Sequence, residues 1–179
     1  MSTNLARKGL IFAVTKERQE INVRECIPKD KHDLLALERA RELGFPLLNE
    51  IIPDLLEWLQ DGNWPVARPT ATLLAEAGQE IVPYIKDIMA DEDGSWKYFV
   101  IELLVSNLSH DLRSKLRSDL LRLANQPTQN DKYEDVDSQA YEVLTAGAKR
   151  VLNVRYVRIF PVAPYRNRPR NLQGRVQLT

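Results

Sequence analysis

A single cysteine, Cys26, excludes an internal disulfide and removes any need for an oxidising compartment. Histidine is as scarce: His32 and His110, with that one cysteine, cannot build a zinc site of ordinary ligand spacing. No apolar run approaches the length of a bilayer span. Arg7-Lys8 precedes Leu10-Ile11-Phe12-Ala13-Val14, but that apolar run is too short for a signal-peptide core, and no small-residue cleavage pattern follows it. These absences predict a cytoplasmic protein. A glycine-rich phosphate loop, a nucleophile elbow and a metal-ligand cluster are missing too. The sequence therefore names no cofactor, no metal and no catalytic residue, and it points away from an enzyme.

What is present is a repeat. Asp61-Gly62-Asn63-Trp64 returns as Asp93-Gly94-Ser95-Trp96, 32 positions on. Each copy follows an apolar helical run that holds a proline, Pro53 or Pro83, and each opens a second apolar run. A period in this range marks stacked helical pairs. The expected fold is all-α: a short right-handed α-solenoid of helical pairs over residues 26–146. A weakly structured extension, residues 1–25, precedes it, and a basic Pro/Arg-rich tail, residues 147–179, follows. A unit of about 120 residues buries roughly two-thirds of its unfolded surface, enough for a core of its own.

In chain order, Asp30 is the expected N-cap of a helix running through Leu34, Leu37, Ala40 and Leu43, with Asp33 adding negative charge to its first turn. Gly44 stops it and Pro46 starts the next helix. Residues 46–60 then form one helix, kinked where Pro53 lacks a donor. Asn63 and Ser95 are the expected N-caps of the helices after the two turns. Pro69 should bend the first of these, and Gly78 should end it. Residues 79–90 begin the second pair. Residues 96–108 are apolar on nearly every side, as a central helix is. Ser109 caps a further helix, Asn125–Asp131 reads as a loop by composition, and Val136, Ala140, Val143 and Leu144 mark a short closing helix. Val151–Phe160 has strand-like β-branched character but gives way to prolines and arginines, so the tail is expected to carry little packed structure.

The formal net charge of zero conceals a segregation. Residues 32–146 carry 21 acidic and 10 basic groups, whereas residues 147–179 carry 8 basic and no acidic ones. Such an asymmetry speaks to partners rather than to fold.

Three stretches together resemble a known family: Ile27-Pro28-Lys29-Asp30-Lys31-His32-Asp33, Leu56-Glu57-Trp58-Leu59-Gln60-Asp61-Gly62-Asn63-Trp64-Pro65-Val66-Ala67, and Trp96-Lys97-Tyr98. They look like a family of small, mostly bacterial proteins of unknown function built as HEAT-like helical repeats. The resemblance covers roughly residues 26–144. It implies a fold and no chemistry.

The candidate binding residues are Trp64, Arg68, Trp96, Lys97, Tyr98 and His32. Tryptophans flanked by Arg68 and Lys97 are a grouping that binds anions, peptides or bases. The plainer alternative is that the tryptophans, recurring with the repeat, pack between helical pairs. Asp30-Lys31-His32-Asp33 sets a base, an acid and a cation close together, against the alternative of capping and solvated charge. The functional expectation is a non-catalytic protein–protein interaction module whose acidic surface meets a basic protein or peptide, an inhibitor or immunity-type role among its versions. The alternative is nucleic-acid binding through residues 147–179. An enzyme would need Asp61 or Asp93 in a deep pocket with Trp64 or Trp96.

Overall fold

The computed structural model describes residues 22–152, with side chains through residue 146. The expected N-terminal extension and the tail beyond Leu152 lie outside the described residues. Among the described residues all regular structure is helical and there is no strand.

A 3₁₀ turn, Val23–Cys26, leads to α1 (Leu34–Leu43). The guanidinium of Arg39 on α1 donates to the Glu25 carbonyl through Nε and Nη2, 3.2 and 2.9 Å, and fixes that turn on the helix. The N-cap of α1 is Asp33 rather than Asp30: its side chain accepts from the Ala36 amide. Asp30 instead closes a turn by accepting from the His32 amide at 2.8 Å. Both are aspartates with a free amide within reach, and the one nearer the first helical turn takes the cap. Gly44 ends α1 at φ +65°, as a C-terminal glycine does.

Residues 46–60 are not one kinked helix. Pro46 follows a cis peptide in a turn, and then come a 3₁₀ segment (Asn49–Ile51), α2 (Ile52–Leu56) and a second 3₁₀ segment (Glu57–Leu59). Pro53 is the second residue of α2. Pro69 is the third residue of α3 (Ala67–Leu74), and Pro83 the second of α4 (Val82–Ala90). Each proline thus falls in a first turn, where its missing N–H would have bonded nothing. Gly78, at φ +66°, breaks the 3₁₀ stretch Ala75–Ile81 that joins α3 to α4.

The expected central helix starts as α5 (Gly94–Phe99), widens to a π-turn (Val100–Leu104) and closes as 3₁₀ (Val105–Asn107). The extra residue in the wide turn rotates its neighbours. Val100, Ile101, Leu103, Leu104 and Val105 are all buried, a broader apolar arc than one α-helical face supplies. This segment packs against α3 and the later helix α9. Each of its buried aliphatic side chains contributes about 1.5–3 kcal/mol.

Ser109 caps α6 (His110–Lys115) as its sequence indicates, and α7 (Arg117–Asn125) follows after a break at Leu116. The polar stretch expected to be a loop holds α8 (Gln129–Tyr133). Thr128 and Asp131 form a reciprocal capping box there, each side chain accepting from the other's amide. The closing helix α9 (Val136–Leu152) is longer than its apolar marks suggested and passes the composition change at Gly147. It lies along α7 and against α5 and α8. No helix among the described residues is long and apolar enough to cross a membrane.

Candidate functional site

The two copies of the turn fold differently. In the first, Asp61 is buried and folds onto Asn63, accepting from its amide at 3.0 Å and its Nδ2 at 2.9 Å. Asn63 caps no helix: α3 starts four residues later, and the Val66 amide just ahead of it donates to the Lys31 carbonyl at 3.3 Å. In the second copy it is Asp93, not Ser95, that caps α5, accepting from the Trp96 amide at 3.0 Å. Trp64 therefore stands ahead of its helix, while Trp96 sits inside the first turn of its own.

Their side chains part company accordingly. The Trp96 indole Nε1 donates to the Leu56 carbonyl at 3.0 Å, tying α5 to the end of α2. The Trp64 ring instead meets Trp58 edge to face, with centroids 5.6 Å apart and planes at 64°. Both indoles are half-buried. Together with Ile27, Asp54, Glu57 and Gln60 they line an open groove of about 230 Å³.

The remaining candidates do not gather around the tryptophans as a cationic platform. Lys97 is 2% exposed and forms a buried ion pair with Asp131, which is itself fully buried. Its charge is neutralised inside the protein and is not offered to a ligand. Burial on its own would raise the Asp131 carboxyl, but the hydrogen bonds from Lys97 and from the amide and hydroxyl of Thr128 hold it below its ordinary value. Arg68 is exposed and reaches Glu102 at 3.6 Å. Tyr98 is half-buried, edge to face with Phe99 at 5.3 Å. Burial, then the carboxylates of Glu102, Asp135 and Glu142, raise its phenol above the usual tyrosine range. His32 is exposed on its turn. Asp93 is occupied as a cap, and Asp61 lies folded on Asn63. Among the described residues no group of three or more His, Cys, Asp or Glu is placed to hold a metal ion.

The three sequence stretches that carry the family resemblance converge. The first docks on the second through Lys31 and Val66. The second meets the third at the Trp96–Leu56 bond, and Gly62 of the second, where an added Cβ would stand 2.4 Å from Cδ1 of Phe99, packs on the residue that follows the third. The sequence profile of DUF5071, a domain of unknown function, matches residues 26–144. The chain belongs to the DUF5071 family. A comparison with curated proteins finds no match. In this DUF5071 domain the shared stretches form one packed junction, with the Trp58–Trp64 groove on its surface.

Sequence reasoning singled out Trp64 but not Asp54 and Glu57 beside it. The signal was there: on a helix, Asp54 and Trp58 are four apart and share a face, and Glu57 is the neighbour of Trp58.

Proposed function

We propose that this DUF5071 domain is a non-catalytic interaction module, a short solenoid of HEAT-like helical pairs whose acidic surface binds a basic protein or peptide. One observation carries the reading: among the described residues the carboxylates of 32–146, 21 against 10 basic groups, form few ion pairs. The described side chains make three ion pairs, Arg68–Glu102, Lys97–Asp131 and Lys115–Asp111, and the second of these is internal. Most of the 21 carboxylates between residues 32 and 146 are exposed, and among the described residues most of them have no cation within ion-pair distance. A surface of one sign steers an oppositely charged partner and rejects a like-charged one. Binding of the full chain to basic, neutral and acidic peptides of equal length, at low and at high salt, tests this. Binding confined to the basic peptide and weakened by salt supports the proposal. Equal binding of all three, or binding indifferent to salt, overturns it.

The second reading, nucleic-acid binding, rests on the 8 basic residues of 147–179. A groove lined by His110, Arg113 and Arg117 lies against α9, the helix that leads into that segment. Replacing Arg166, Arg168 and Arg170 together by glutamine should then weaken binding of a single-stranded oligonucleotide and flatten its salt dependence. An unchanged salt slope removes this reading.

A further inference from the structure

The groove beside Trp64 combines two features that a single ligand class satisfies. Its wall is a pair of half-buried indoles, and a tryptophan face attracts a cation more strongly than any other aromatic side chain does. Its rim carries Asp54 and Glu57, and among the described residues neither forms an ion pair. A phosphate or carboxylate would meet repulsion there. A neutral apolar group would leave both carboxylates desolvated without compensation. A cation gains from the ring faces and the carboxylates at once. The volume, about 230 Å³, falls below the roughly 300–1,000 Å³ of sites for whole drug-sized ligands, and so suits one long side chain rather than a free small molecule.

We propose that the groove formed by Trp58, Trp64, Asp54 and Glu57 is the subsite for a lysine or arginine side chain of the basic partner. This rests on the interaction-module reading and names where that module grips. The alkyl stem of the guest lies along the indoles and Ile27, and its charged end reaches the two carboxylates. The partner supplies the remaining affinity through the wider acidic surface.

The test follows the three indole N–H resonances of the full-length protein by NMR. Trp58→Phe and Trp64→Phe assign them, and Trp96, bonded to Leu56, is the internal reference. The probe is acetyl-trilysine amide, and the control is the same peptide with every side-chain amine acetylated. The free-amine peptide should move the Trp58 and Trp64 signals saturably and leave Trp96 in place, and the acetylated peptide should move none. Asp54→Asn combined with Glu57→Gln should weaken the binding roughly tenfold, as loss of two charge contacts around an aromatic cation site does. Unaltered thermal unfolding of that double variant shows that its fold is kept. If backbone signals elsewhere on the acidic surface respond while Trp58 and Trp64 stay still, the subsite is wrong and the interaction-module reading stands. Equal shifts with the acetylated peptide also overturn the subsite, because charge is then irrelevant. If no signal responds to either peptide, both proposals fall.

Discussion

Two nearly identical tetrapeptides in this protein have become opposites. Asp93-Gly94-Ser95-Trp96 begins a helix: the aspartate caps, the glycine is buried against Asn130 and Glu134, and the half-buried indole ties down a carbonyl forty residues back in sequence. Asp61-Gly62-Asn63-Trp64 closes a turn on itself, and its indole, also half-buried, meets Trp58 edge to face. Both tryptophans nevertheless touch the same short stretch, Leu56–Trp58, from different directions. The two turns share a contact region while the backbone around them differs. The three residues after each turn's tryptophan show why. Pro65-Val66-Ala67 delays α3 beyond Trp64, whereas Lys97-Tyr98-Phe99 continues α5 straight through Trp96. A proline after the first tryptophan and none after the second leaves Trp64 ahead of its helix and Trp96 inside the first turn of its own.

The largest expected effect sharpens the contrast on the inward side. Lys97→Met leaves the Asp131 carboxylate buried without its cation and should cost about 3–5 kcal/mol, read as a fall in urea midpoint. Arg68→Met, which removes the outward pair to Glu102, should lie within about 0.5 kcal/mol of the parent. If the two variants unfold alike, the inside–outside distinction is wrong.

Next comes the glycine of the first turn. A methyl on Gly62 would overlap the Phe99 ring at 2.4–2.6 Å, so Gly62→Ala should destabilise by roughly 1–3 kcal/mol. Gly94→Ala meets the Cγ of Glu134 at 2.9 Å, midway along a flexible side chain, and the Asn130 carbonyl at 3.1 Å. It should cost less than Gly62→Ala in the same thermal melts. The reverse order would mean that Phe99 yields more readily than α8.

A smaller effect separates the two aspartates. Asp93→Ala removes an N-cap and should lose about 1 kcal/mol, while Ser95→Ala, at the position first taken for the cap, should lose only a few tenths. Loss of the same stability from both would restore Ser95 as the cap.

The pH dependence is expected to be the mildest signal. The Asp131 carboxyl is held below its ordinary value of 3.8, so its contribution is fully present above that value and is lost as pH falls through the lower folded-state value. Glu134 runs the other way. Burial, then Asp93 and Asp135, raise its carboxyl above the ordinary 4.5, so its ionisation costs stability once pH exceeds that value. Glu134→Gln should therefore stabilise slightly at neutral pH, and the gain should disappear in acid. Paired denaturation curves at neutral pH and well below pH 4.5 check it.

Much of the fold was legible from local chemistry. Gly44 and Gly78 end helices because both adopt positive φ, and Ser109 caps because its hydroxyl meets a free amide. The apolar run around Val100–Val105 is central because every aliphatic side chain in it is buried. What escaped was set by competition or by distance. Ser95 is a good cap, but Asp93 reaches the free amide first; Asn63 has no helix start to cap, because the Val66 amide goes to the Lys31 carbonyl and α3 begins only at Ala67. Thr128 and Asp131 are ordinary loop residues until each accepts from the other. Lys97 looks like a surface cation because its partner lies 34 positions later in a stretch with no apolar pattern. The candidate site was half visible for the same reason. Trp64 announces itself by recurrence, but Asp54 and Glu57 join it only once α2 and its 3₁₀ extension place them on one rim.

The central claim is that one tryptophan turn has been kept for structure and the other for recognition. Comparing Trp64→Leu with Trp96→Leu, for thermal stability and for affinity toward acetyl-trilysine amide, tests it most directly. Trp96→Leu should lower the melting temperature more than Trp64→Leu does and leave the affinity of the folded protein unchanged, while Trp64→Leu should weaken the affinity. If both variants lose stability to the same extent and neither changes the affinity, the two turns do the same work and the claim is wrong.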